Sequence, residues 1–135
     1  MTSRRVVVSG GGPAGLSAAA AALSAGAEVT LLDEGERIGG QFWRHHPELT
    51  DPRLQHQTGR FRRLQDEIAA ARVVSSAVVW RIEPGAPVRV HVLIGPADAA
   101  QRRGETIEAD ALVIATGAHD RVLPVPGWTL PGVTS

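Results

Sequence analysis

Six consecutive residues, Gly10-Gly11-Gly12-Pro13-Ala14-Gly15, carry the chemistry most easily read from this chain. They match G-x-G-x-x-G, a turn that brings main-chain amides against a phosphate pair. Each position has a separate physical task. Gly10 lets the chain turn sharply out of a strand, and Gly12 leaves no Cβ between backbone and pyrophosphate. Gly15 lets the following helix lie close on the sheet. Pro13 suits a first helical turn, where its missing N–H is no loss. The amides around Ala14 and the helix dipole then face negative charge. Asp33 follows Gly15 by 18 positions. A carboxylate there accepts from a ribose 2′-hydroxyl, which favours an unphosphorylated ribose, as in FAD or NAD. Glu34 takes that part if the strand runs one residue longer. A glycine-rich loop that binds something else is the competing reading of the same turn.

The elements that must position these residues are legible around them. Residues 5–9 form a short β-branched run ending in glycine, as expected for a strand buried on both faces of a parallel sheet. Residues 13–25 switch to Ala, Leu and Ser, with Leu16, Ala20 and Leu23 at helical spacing and Gly26 placed as a C-cap. Val29–Leu32 is a second apolar strand, closing a βαβ unit. Residues 37–52 read as loop. The spacing predicts a second helix from about Leu54 to Ala71, with Phe61, Leu64, Ile68 and Ala71 buried and Arg62/Asp66 and Arg63/Glu67 paired on its outer face. Val73-Val74 is expected as a third parallel strand. Ala77–Ile82, Val88–Ile94 and about Thr106–Ala109 are expected as an antiparallel meander, with Glu83-Pro84-Gly85 and Gly95-Pro96 as turns. Ala111–Ala115 is again purely apolar. The implied class is α/β: a Rossmann-like parallel sheet with helices and a small antiparallel β-meander.

Composition narrows the function classes. Fourteen basic and fourteen acidic side chains cancel, and no single-sign block stands out, so nothing points to nucleic acid or an anionic membrane surface. There is no cysteine, which excludes disulfides, thiolate-held metal and a Cys-x-x-Cys redox pair within these 135 residues. The apolar run Val6-Val7-Val8 is too short for a signal peptide or a membrane span, and the expected location is the cytoplasm.

Other reactive side chains have plainer readings. His45 and His46 are adjacent, so they do not point at one target, and no ligand-like third residue accompanies them; solvated loop histidines and no metal site are expected. Gln41 and Arg44 follow a glycine pair and are placed to meet a ring or a substrate carboxylate. Arg44 stays open between that role, for which its fork is suited, and a surface ion pair. Trp43, Trp80 and Trp128 are expected to pack at loop and sheet edges. His119-Asp120 is expected to position rather than relay protons. No residue reads as an obligatory acid, base or nucleophile.

Two further motifs bear on which dinucleotide is bound. Arg37-Ile38-Gly39-Gly40 follows the acidic strand end, and Ala115-Thr116-Gly117 ends the last apolar strand. With the first turn they resemble the R-x-G-G and A-T-G motifs of flavoproteins with two dinucleotide-binding domains, the glutathione reductase superfamily. The resemblance implies FAD, with Gly39, Gly40 and Gln41 near its phosphates or ring and Ala115, Thr116 and Gly117 passing beside it. It also implies that the backbone at Ala77–Val79 borders the adenine. The longer stretches Gly39-Gly40-Gln41-Phe42-Trp43-Arg44 and Ala115 to Val133 are similar to FAD subunits of hetero-oligomeric amine and amino-acid dehydrogenases. That group includes hydrogen cyanide synthase, opine dehydrogenase, dye-linked proline dehydrogenase and, more distantly, the alpha chain of sarcosine oxidase. It implies an amine or amino-acid substrate and partner subunits.

Members of that family run to several hundred residues. They continue into a second dinucleotide-binding domain, which would take NAD(P), and return with a closing strand ending in Gly-Asp. Residues 1–135 correspond to the N-terminal portion of the FAD domain, incomplete without these, and truncation is the expected reason. Two alternatives remain: an NAD(H)-binding lobe of a pyridine-nucleotide-dependent reductase, for which the R-x-G-G pair has no clear use, and a non-catalytic flavin-binding module completed by a partner chain.

Overall fold

The computed structural model describes residues 3–43, 57–118, 126–127 and 129–132. Among the described residues nine elements follow one another: β1 (Arg5–Ser9), α1 (Pro13–Ser24), β2 (Glu28–Leu32), α2 (Thr58–Glu67), β3 (Arg72–Val74), β4 (Ala77–Glu83), β5 (Val88–Ile94), β6 (Arg103–Ala109) and β7 (Ala111–Ile114). A parallel sheet has the order β3-β2-β1-β7, and β4-β5-β6 form a separate antiparallel sheet.

Because β1 lies between β2 and β7, its alternate side chains enter two different cores. Val8 joins Val29 and Leu31 under the helices, against Leu16, Ala19, Trp43, Phe61, Leu64 and Ile68. Val7 joins Leu32 on the other face, against Ala77, Val90, Val92 and Ala109 of the meander. That two-sided burial is why these strands read as continuous apolar runs rather than alternating ones. The α/β class holds, with helices, parallel sheet and meander as three layers.

Gly26 ends α1 as expected. Its φ is +82°, its amide donates to the Leu23 carbonyl at 2.9 Å, and the Ala27 amide donates to Ala22 at 3.0 Å. This is the paired Schellman closure that a left-handed glycine permits. The end of α2 and the start of β6 differ from expectation. Helix α2 stops at Glu67, four residues early, although Ile68 remains buried; the chain is already turning, with Ala71 N–H on the Ile68 carbonyl at 2.8 Å. Residues 54–56, the expected start, lie outside the described residues. Neither Arg62/Asp66 nor Arg63/Glu67 is among the ion pairs formed by the described residues. Strand β6 begins at Arg103, three residues early, because β5 supplies pairing partners (Ile94 to Arg103, Leu93 to Gly104) to a segment with no apolar pattern of its own.

On the outer side of β7 no described strand pairs, and Ile114 there is 65% exposed. Bare apolar strand edges promote association. Ile114→Lys is expected to lower concentration-dependent association, read by sedimentation velocity, and to change stability by no more than about 0.5 kcal/mol. Unaltered association would mean that this edge is not the contact.

Candidate functional site

The turns leaving β1, β2 and β7 meet at the carboxyl end of the parallel sheet, where ligands of open α/β sheets bind. Backbone bonds tie them together. Gly10 N–H donates to the Leu32 carbonyl at 2.8 Å, Ala115 N–H to Ser9 at 2.8 Å, and Gly39 N–H to Gly11 at 2.7 Å.

Each glycine of the first turn faces a different constraint. Gly10 has φ +108°, and a Cβ on it would overlap the Ala115 carbonyl. A Cβ on Gly15 would overlap the Gly10 carbonyl, with Val8 Cγ1 at 3.4 Å. Both are therefore demanded by the protein's own packing. Gly12 is not. Its φ of −77° and ψ of −173° are extended backbone open to any residue, and among the described residues its absent Cβ would meet only the Gly40 Cα, at 3.8 Å. The three sequence motifs thus converge: Gly10 on Ala115, Gly11 on Gly39, and Gly12 on Gly40.

Helix α1 opens toward the same place. Its cap, Gly12, offers no side-chain bond, Pro13 occupies the first turn, and no acid is present there. Among the described residues the first-turn amides at Ala14 and Gly15 have no side-chain acceptor, which suits the helix end to an anion.

Asp33 bridges the turns after β1 and β2. It is 8% exposed, its Oδ2 accepts from Gly11 N–H at 2.5 Å, and its Oδ1 accepts from Gly35 N–H at 2.7 Å. Its main chain is held as well: its amide donates to the Val74 carbonyl at 3.0 Å, and its carbonyl accepts from Ala77 at 2.8 Å. Glu34 is exposed, as are Arg37, Gly40 and Gln41, whereas Gly39 is buried. Gly39 and Gly40 need their glycine freedom, with φ of +127° and +60°.

The start of β4 is brought to this turn by Ser76 N–H on the Gly35 carbonyl at 2.9 Å and by the Ala77 bond to Asp33. Val79, half-buried, lies two residues further along, beside the irregularity between Val79 and Arg81. Ala115 is half-buried, while Thr116 and Gly117 are exposed at the end of β7. Arg44, His45, His46, His119, Asp120 and Trp128 lie outside the described residues.

The two described tryptophans pack from a loop and a sheet edge, as expected: Trp43 joins the helix-side core, its ring centroid 5.1 Å from that of Phe61, while Trp80, 58% exposed on the edge strand β4, has its ring against His91. Sequence reasoning passed over Gly11 and Gly35. Gly11 sits at the variable position of the motif, and the run of three glycines was its only signal. Its amide and carbonyl are both used, and a Cβ on it would overlap the Asp33 carboxylate.

Comparison with known proteins adds to this geometry. A family model described as pyridine nucleotide-disulphide oxidoreductase matches residues 4–134. The chain is 37% identical to an opine oxidase subunit from Agrobacterium tumefaciens (strain Ach5), over 95% of this chain and 26% of that protein. It is 36% identical to the hydrogen cyanide synthase subunit HcnB of Pseudomonas aeruginosa, over 96% of this chain and 28% of that one. It therefore spans about a quarter of the length of the curated relatives it matches. The solved L-proline dehydrogenase of P. horikoshii shares the fold at a TM-score of 0.63 and 23% identity, covering 90% of this chain and 24% of that chain.

Proposed function

The chain belongs to the pyridine nucleotide-disulphide oxidoreductase family, and we propose on that premise that residues 1–135 are the FAD-binding portion of a flavin-dependent oxidoreductase acting on an amine or amino acid. The observation that carries the cofactor reading is Gly12. Among the described residues neither its backbone angles nor its neighbours require glycine, and a ligand in the space in front of it would account for one. A pyrophosphate on the open amides of α1 fits that space.

Gly10 and Gly15 shape the turn, and Gly12, Pro13 and Ala14 meet the phosphates. An acid at the end of β2, Asp33 or Glu34, receives the ribose. Val79 borders the adenine. Arg37, Gly39, Gly40 and Gln41, with Ala115, Thr116 and Gly117, line the flavin side. The glycine pair favours FAD over an NAD(H) lobe, which has no clear use for the R-x-G-G motif. Bound there, a flavin supplies the two-electron acceptor for substrate oxidation, and this chain holds and orients it. In the family that the motifs resemble, NAD(P) is held by a second dinucleotide-binding domain.

The substrate class and the assembly with further chains are supported by what the relatives are named for: they are subunits of an opine oxidase and of a hydrogen cyanide synthase. No described helix is long and apolar enough to cross a membrane; we place the protein in the cytoplasm.

Titrating the purified protein with FAD, and separately with NAD, is expected to give saturable binding of FAD alone, with a rise in melting temperature. Binding of NAD but not FAD would replace this reading with the NAD(H)-lobe one. A folded protein that binds neither would remove the site.

A further inference from the structure

We propose that the N-terminal half of α2 is a docking surface for an acidic face of another protein chain, with Arg60, Arg62 and Arg63 as its anchors. The inference rests on the proposed assembly with further chains and names the chemistry of one contact.

The charges of α2 run against its dipole. The helix has no acid in its first turn and no base in its last. Arg60, Arg62 and Arg63 lie toward its N-terminal end, and Asp66 and Glu67 close it. A helix disfavours cations at its positive end and anions at its negative end. Gln57, at the cap, makes no side-chain bond, so nothing on it offsets that positive end. Ion pairs four residues apart would compensate, but they do not form. All three arginines are exposed, and their guanidinium groups have no hydrogen-bond or ion-pair partner among the described residues. Arginines elsewhere in the chain are treated differently. Arg81 and Arg89 meet Glu83 at 3.0 and 2.6 Å, and Arg72 meets Glu105 at 2.7 Å. A charge placement that opposes the helix and gains nothing inside the chain points to a use outside it.

Position and shape narrow that use. Phe61 packs on Trp43 and lies 3.5 Å from where a Gly39 Cβ would stand, so this half of α2 borders the turns at the carboxyl end of the sheet. Phe61, Leu64 and Ile68 define the buried side of the helix. With about 100° per residue, Arg60 and Arg63 fall on one flank of that stripe and Arg62 on the other. The guanidinium groups are thus spread over a convex surface, whereas small-molecule sites are concave. A broad face of opposite charge fits, and each planar fork can take both oxygens of a carboxylate. Nucleic acid fits less well. The chain's fourteen basic side chains are cancelled by fourteen acidic ones, and Asp66 and Glu67, on the same helix, would repel a phosphate backbone.

The test follows labelled poly-L-glutamate by fluorescence anisotropy on wild type, on R60Q/R62Q/R63Q and on R81Q/R89Q/R103Q. The last removes the same charge from ion-paired arginines of the meander. Wild type is expected to bind saturably at low salt and to weaken steeply as salt rises. R60Q/R62Q/R63Q is expected to bind at least about tenfold more weakly. It is also expected to melt at or above the wild-type temperature, because cations leave the positive end of a helix. R81Q/R89Q/R103Q is expected to bind like wild type. A lower melting temperature for R60Q/R62Q/R63Q would show that the arginines serve the fold and would overturn the proposal. Unchanged binding in that variant, or equal weakening in both, would do the same. Duplex DNA held more tightly than poly-L-glutamate, and lost in R60Q/R62Q/R63Q, would replace the acidic chain with nucleic acid. A folded wild type that binds no poly-L-glutamate would end this surface and leave the assembly reading standing. The mass of the native protein in solution reads the assembly itself, and a lone chain there would end both.

Discussion

Gly15→Ala is expected to cost roughly 3–5 kcal/mol of folding stability, a large part of what a domain of this size has. The added methyl would overlap the Gly10 carbonyl oxygen and stand 2.9 Å from its carbon. Both are main-chain atoms of a turn locked to Leu32 and Ala115, so no side-chain rotation can clear them. Relief requires α1 to lift from the sheet. That separates Leu16 and Ala19 from Val8 and Leu31, which together fill the helix-side core. Urea denaturation followed by circular dichroism measures the loss. Gly59→Ala is the matched control: Gly59 lies in α2 with open space around it, and alanine there is expected to add about 0.5–1 kcal/mol. Equal midpoints for the two variants would mean that α1 is not seated on β1 as described.

Gly12 gives the opposite separation of folding from binding. Gly12→Ala is expected to leave stability within about 0.5 kcal/mol, because the methyl would enter ordinary contact with the Gly40 Cα at 3.8 Å and the backbone angles suit alanine. Gly12→Val fills more of the same space. Its dissociation constant for FAD is expected to rise on the order of a hundredfold or more, which in practice abolishes binding. The check is a pair of curves for each variant, thermal melting without ligand and FAD fluorescence titration. A Gly12→Val protein that melts normally and retains FAD would show that the ligand does not pass over this glycine. One that fails to fold would show that the gap at Gly12 is narrower than it stands here, and Gly12→Ala would then carry the test. With both outcomes as expected, Gly15 and Gly12 would divide one motif into a residue kept for the protein and a residue kept for its ligand.

Much of this was written locally in the chain. The βαβ unit, the Schellman glycine at Gly26 and the meander follow from short-range patterns of apolar residues and turn formers. Those patterns act between near neighbours. The continuous apolar runs of β1 and β2 also announced burial on both faces. Nothing local marked the start of β6, whose first residues are polar and owe their extended form to pairing with β5. Nor could α2's periodicity show where the chain must turn to reach β3.

The tertiary structure alone decided which glycines the chain's own packing demands and which amides reach Asp33. Spacing places an acid after the second strand, but it does not count the amides that reach it. Gly11 is 22 positions away from Asp33, and Gly10 is pressed by Ala115 from the opposite end of the chain. Hydrogen bonds and steric overlap depend on distance in space, over a few ångströms. A sequence records only order along the chain, so such contacts exist once the sheet has brought its strand ends together.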